Sequence, residues 1–382
     1  MRVAAVAARP RVVGLDAARG LALLGMIVVN VGPISSQSLL QRLYVLPYGR
    51  ASVLFVVVAG IGMGYLLSRQ SERERWLTVT WRAALLFAGG VALQGLTDRV
   101  NVILPTYAVL FLLAPLLWRL PGRTLLWIGG VLLIAGPALL VAHDMIWPAT
   151  QPLGPVTFGT PPLEAAESLL FTGRYPLTSW TLPFIAGLCV ARLDLTDTVV
   201  LRRLAVGGAA VTVGAFALSQ LTYALVGPAA DSGPLRLLTG AAHGQMPLWL
   251  ASSIGGAVAI VAAFSLVQHR FHRAWLLGWL VACGRLSLTL YVLHFVVLAL
   301  IKPELGFSFR QGVLVSAALM TAVVAIAAIW DRMSWPGPLE RLLRQTWLRP
   351  SRVQAPTPTV PATTATVPAP TPTPTVRISE RT

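Results

Sequence analysis

Gly14-Leu-Asp-Ala-Ala-Arg-Gly-Leu-Ala-Leu-Leu-Gly-Met-Ile-Val-Val-Asn30 is the stretch on which the reading of this chain turns. Its apolar run, Leu15–Val31, follows the basic start Arg2–Arg11 and is too long for the h-region of a cleavable signal. It has the length of a bilayer-crossing helix, so it reads as a first span retained in the protein. Asp16, Arg19, Leu23, Met26 and Asn30 follow the i, i+3, i+7 spacing of one helix face. Arg19 and Asn30 are nearly in phase and about 16 Å apart along the axis. One face thus presents a charged pair near one end and an amide near the other. Such a pair can hold a ligand, or it can be an interfacial ion pair with a snorkelling arginine. Asn30 can likewise serve a site or only bond a neighbouring helix.

The rest of the chain repeats the pattern. Of its 382 residues, 55% are hydrophobic and 12% charged, where a soluble domain carries roughly 25% charged residues. Ten apolar segments have spanning length or close to it: 14–33, 51–68, 78–96, 101–118, 124–142, 177–192, 203–226, 248–268, 275–300 and 312–330. They are continuous rather than alternating, which points to helices and away from a barrel. The expected fold is all-α, a polytopic membrane helix bundle of about ten transmembrane helices.

Arginine clusters fix the orientation. Arg2, Arg9 and Arg11, Arg69 to Arg75, Arg119 and Arg123, Arg192 to Arg203, Arg270 and Arg273, and Arg332 to Arg352 fall in alternate loops. The other loops hold mostly single cations, among them Arg42, Arg99, Arg174, Arg236 and Lys302. The positive-inside rule places both termini in the cytoplasm, as an even number of spans requires. The net charge of +16 is spread over loops rather than gathered in one stripe, so nucleic-acid binding is not expected. The domains read as a cytoplasmic segment 1–13, a membrane domain 14–335, a basic cytoplasmic segment 336–354 and a disordered Pro/Thr-rich tail 355–382.

Few residues invite chemistry. Cys189 and Cys283 lie in apolar stretches without a C-x-x-C, so neither disulfides nor a metal site is expected. Gly60 and Gly64 form a G-x-x-x-G that lets helices approach closely; with Gly62 they do not make a dinucleotide fingerprint. Gln268-His-Arg-Phe-His-Arg273 reads as a topology signal or as a grip on an anionic phosphate. The ninth segment is the most polar: Cys283-Gly-Arg-Leu-Ser-Leu-Thr-Leu-Tyr-Val-Leu-His294. In a regular helix Tyr291 and His294 share a face, while Arg285 and His294 point oppositely. A membrane His can act as a general base or simply bond between helices.

The stretch 15–30 resembles the first-helix motif shared by the YeiB-like bacterial membrane family and the heparan-α-glucosaminide N-acetyltransferase-like family of transmembrane acyltransferases. Leu54-Phe-Val-Val-Val-Ala-Gly-Ile-Gly62, Val102-Ile-Leu-Pro-Thr-Tyr-Ala108 and 284–294 resemble the YeiB-like group. The likeness covers about residues 12–330. It implies transfer of an acyl group from cytosolic acyl-CoA, acetyl-CoA first among them, to an extracytoplasmic glycan, lipid or small-molecule acceptor. Arg19 would then stand near the CoA phosphates or pantetheine, oriented by Asp16, with Arg285 as a further cofactor contact. Asn30 matches the family's Asn beside the transfer site, and Tyr291 would face substrate. Acetyltransferase members carry a His soon after that Asn, but residues 31–50 contain none. The base therefore falls to His294, with His243 second. A transporter or flippase of a small or lipidic substrate, and a non-catalytic scaffold, are the alternatives. The expected location is the plasma membrane of a bacterium, among lipid, with an oligomer compatible.

Overall fold

The computed structural model describes residues 12–34, 37–98, 100–147, 154–270, 275–303 and 306–344. Among the described residues there are helices and connections but no strand. In chain order the α-helices are α1 (Val13–Val31), α2 (Leu39–Tyr44), α3 (Arg50–Leu67), α4 (Glu72–Gln94), α5 (Leu104–Arg119), α6 (Gly122–Ile146), α7 (Pro162–Glu167), α8 (Leu177–Val190), α9 (Thr198–Val226), α10 (Pro247–Arg270), α11 (Trp275–Arg285), α12 (Ser287–Ile301), α13 (Phe309–Arg332) and α14 (Pro338–Arg344).

Each of the ten apolar segments contains one of these helices, the ninth a bent pair. Seven helices, α1, α3, α4, α6, α9, α10 and α13, are long and apolar enough to cross a membrane. The pair α11 and α12 makes an eighth if it is one span. The two shorter apolar helices are α5 and α8. Both begin at prolines, Pro105 and Pro176, and both carry one inside, Pro115 and Pro183. The protein is an all-α, multi-pass membrane bundle. The expected tail at 355–382 and most of the segment 1–13 lie outside the described residues.

One expectation is corrected. The ninth segment is not a straight helix but is bent by 80° between Leu277–Arg285 and Ser287–Ile301. Arg285 and Thr289, which a regular helix would carry on a single rod, find partners on two other helices. Arg285 donates to Asp331 of α13 at 2.8 Å, and the first turn of α12 is capped by Glu340 of α14. α14, in the basic segment that begins at 336, packs on α4 and α12, within one compact unit that runs to Arg344.

α1 is the central rod, packed against α3, α10, α11, α12 and α13. Between apolar helices in lipid there is no hydrophobic drive to associate, so close backbone approach at small residues supplies the packing. A methyl added at Gly284 would overlap the Asp16 carbonyl, and one at Gly20 the Leu280 carbonyl, so α1 and α11 meet backbone to backbone. Gly60 lies likewise on the Phe184 carbonyl of α8, and Gly64 against Ala191 and Trp118, which is the close packing that G-x-x-x-G spacing foretells. On the periphery, Leu126, Trp127 and Val131 of α6, Val206, Val213 and Phe216 of α9, and Leu314 of α13 are exposed. These are the lipid-facing surfaces.

Candidate functional site

The polar stripe of α1 has two stations. At the first, Arg19 Nη1 and Asp16 Oδ1 are 3.4 Å apart, the carboxylate buried and the guanidinium side chain 28% exposed. Gly62 of α3 faces this guanidinium without a side chain; even a Cβ there would stand 3.5 Å from it. At the second, the Asn30 side-chain nitrogen lies 3.0 Å from His294 Nε2 of α12. His294 Nδ1 is 3.4 Å from the Leu290 carbonyl one turn back. A carbonyl can only accept, so that contact assigns the imidazole proton to Nδ1. Nε2 then offers its lone pair, which accepts from Asn30. A buried His with its lone pair turned into the bundle is the form a general base requires.

Three aromatic groups extend this station. The Tyr291 ring meets His294 edge-on at 5.2 Å, and its hydroxyl accepts from the Ile103 N–H at 3.3 Å. Phe55 of α3 lies between Tyr291, at 6.5 Å, and Tyr107 of α5, at 5.8 Å. The Tyr107 hydroxyl is buried and makes no hydrogen bond among the described residues. An unpaired phenol in an apolar bundle costs free energy unless something accepts its proton, which makes it a natural contact for a bound oxygen.

The end of α1 is pinned from outside the stripe. Lys302 Nζ donates to the Asn30 carbonyl at 2.7 Å. The Tyr44 hydroxyl lies 2.8 Å from the Gly32 carbonyl and 2.9 Å from Ser316 Oγ of α13. Asn30 is thus held at both its backbone and its amide.

Of the residues singled out from sequence, the structure brings together Asn30, Tyr291 and His294, and separately Asp16 and Arg19. Arg285 stands apart, tied to Asp331 at the bend with both side chains 41% exposed. His243 belongs to another cluster, in the connection between α9 and α10. Its ring stacks on Trp249 at 5.8 Å and lies near Tyr48, Tyr175 and Trp180. The Arg174 guanidinium bonds the Tyr48 hydroxyl beside it. Burial, with the Arg174 charge adding to it, lowers the His243 pKa from 6.5 to about 3. Between those values the unfolded chain binds a proton that the folded cluster refuses. The stability tied to neutral His243 is therefore complete above about pH 6.5 and is lost as pH falls toward 3. Acidification through that window is expected to shift the fluorescence of the flanking Trp180 and Trp249, and the shift should vanish in His243→Phe.

Sequence reading passed over Tyr107, Lys302 and Glu340. Tyr107 sits in the 102–108 stretch, quoted only for its likeness. Lys302 carried the clearest unused signal, as the single lysine among 30 basic residues. Glu340 was hidden as one acid in a basic segment.

Residues 195–349 match the model of a family described as a protein of unknown function (DUF418). The matched part holds α9 to α14, and with them Tyr291, His294, Lys302 and Glu340, but not α1. No curated protein matches the chain.

Proposed function

We propose that the protein is a transmembrane acyltransferase, passing an acyl group from cytosolic acyl-CoA to an acceptor on the other side. The observation that supports it best is the buried Asn30–His294 pair, set about 16 Å along the same helix face from Arg19. Donor and acceptor chemistry need those three elements in that order. A cation meets the phosphates or the pantetheine amides. The apolar residues Leu23 and Met26 lie between the two stations on this face, along the line a thioester arm would follow. A base and an amide donor stand where the acyl carbonyl meets its acceptor. Gly62 leaves room over Arg19, and the buried Tyr107 hydroxyl, its ring beside Phe55, supplies a donor unpaired among the described residues. Of the cofactor contacts that the resemblance implies, Asp16 and Arg19 stand together at the first station, while Arg285 is tied to Asp331 at the bend.

In this reading His294 Nε2 takes the proton of the acceptor hydroxyl or amine as it attacks the thioester carbonyl. Asn30 frees the Nε2 lone pair by turning its amide to the developing oxyanion, and the imidazolium then returns the proton to the departing thiolate. The thiol of CoA leaves toward the Arg19 end. Kinship with the YeiB-like and glucosaminide acetyltransferase-like proteins, and the plasma membrane of a bacterium as its location, belong to the same proposal.

Calorimetry with acetyl-CoA on the detergent-purified protein is the test. Binding is expected, and Arg19→Ala should weaken it by roughly tenfold or more, the loss of one charge-assisted contact. Absence of binding to acetyl-, succinyl- and longer acyl-CoA would overturn the reading.

A second reading, transport of a small or lipidic substrate, draws on the broken pair α11 and α12, since discontinuous helices mark many transporter sites. The polar groups at this break are already matched within the protein by Asp331 and Glu340. This favours a structural role for the bend over ion coordination.

A further inference from the structure

We propose that Glu340 is a positioning residue: α14 is a strap across the α11–α12 break, and its carboxylate sets the placement of the half-helix that carries Tyr291 and His294. The bend at Leu286 starts a new helix inside the bundle, and a helix start leaves backbone N–H groups without carbonyls four residues back. Glu340 Oε1 accepts from Leu288 N at 2.7 Å and from Thr289 N at 3.0 Å. Its other oxygen accepts from the Thr289 hydroxyl at 2.6 Å. That hydroxyl in turn accepts from Leu339 N at 3.3 Å. One carboxylate thus meets two orphan amides and a hydroxyl, with its charge at the positive end of the α12 dipole.

The strap is itself anchored. Trp81 Nε1 donates to the Leu342 carbonyl at 2.9 Å and Arg82 Nε to the Leu343 carbonyl at 3.2 Å, so α4 holds the last turn of α14. Gly337, at its entry, packs against Leu286, the hinge residue of the bend. On the neighbouring side Arg285 ties α11 to Asp331. Two acids from the end of the bundle therefore brace the two halves of the bend separately, Asp331 the first and Glu340 the second. From this brace α12 runs two turns to His294, so the placement of α12 sets where the imidazole meets Asn30. The two amides are part-buried, and amides that lose a charged acceptor give up more than a neutral hydrogen bond, so the carboxylate cannot be removed without cost.

Glu340 places α12 whatever reaction the site performs. Cys283, fully buried and three residues before the hinge, is a built-in reporter. In a Cys189→Ser background it is the one thiol of the chain. Maleimide labelling of Cys283 in the purified full-length protein should be slow. Glu340→Ala should speed it by roughly ten- to a hundredfold, the range for loss of a charged hydrogen-bonding partner. Glu340→Gln keeps an oxygen for the amides and should restore most of the protection, whereas Glu340→Met fills the space without an acceptor and should label nearly as fast as Glu340→Ala. Protection by both would mean a merely space-filling role and overturns the proposal. Equal labelling of Glu340→Ala and the parent protein overturns the proposal. If Glu340→Ala does not purify as a single species, Thr289→Val removes only the hydroxyl partner. A several-fold rise in labelling supports the strap in that case, and unchanged labelling overturns it. Because no acyl-CoA enters this measurement, its failure is distinct from failure of the acyltransferase reading.

Discussion

Glutamine at position 294 is expected to leave acetyl-CoA binding intact and to slow acetyl transfer by roughly 10²–10⁴-fold, the usual contribution of a general base. His294→Gln is the informative change because an amide of similar reach keeps a hydrogen bond to Asn30, which lies 3.0 Å from the imidazole in the wild-type protein. The residue is buried at 1% exposure, so alanine would open a cavity and mix a packing loss with a chemical one. Glutamine has no basic lone pair and cannot take the acceptor's proton. Radiolabelled acetyl-CoA supplied to membranes holding the protein, with label followed into lipid and soluble fractions, measures the effect. Unchanged label transfer in His294→Gln would remove His294 from the base role. Unchanged transfer with His243→Phe is expected alongside, since that ring belongs to the separate aromatic cluster.

Gly284→Val should be the most damaging substitution for the fold. The backbones of α1 and α11 touch at this point, where any Cβ would run into the Asp16 carbonyl rather than a yielding side chain. Relief requires the helices to part, and that would also loosen the Gly20–Leu280 contact on the same pair. Overpacking of this kind costs about 1–3 kcal/mol, which in a unit of this size corresponds to a fall of roughly 2–5 °C in the unfolding midpoint. Thermal unfolding in detergent, followed by gel-filtration survival, checks it. Gly89→Val on α4 is the control, because nothing stands within 4 Å of a Cβ at that position. Equal midpoints for the two variants would refute the account of α1–α11 packing.

The extent of what sequence could reveal follows from which periodicities survive in it. Asp16, Arg19 and Asn30 were readable as one stripe because a helix repeats every 3.6 residues whatever surrounds it. Gly60 and Gly64 were readable as a contact face for the same reason. Nothing local, by contrast, states which helix faces which, so the meeting of Asn30 with His294 across 264 residues of chain was beyond reach. The bend at Leu286 was masked by apolar continuity: hydropathy over 275–300 is compatible with one rod. The clue was the polar run Arg285, Ser287 and Thr289, which fits a bend whose exposed amides need partners better than it fits a binding surface. Glu340 was masked by its setting, as an acid past the last apolar run among arginines. Its meaning depends entirely on the amides it caps.

Lys302 has one more consequence. Apart from the chain's amino terminus, its ammonium is the only primary amine in the protein, and it rests on the carbonyl of Asn30. Amine chemistry on this molecule is therefore addressed to one internal place, the end of α1 where the amide and the imidazole meet. A fluorophore or cross-linker delivered as an activated ester marks that place and the amino terminus alone, without any engineered residue, and its rate of attachment to Lys302 reads out how open that end of the bundle stands.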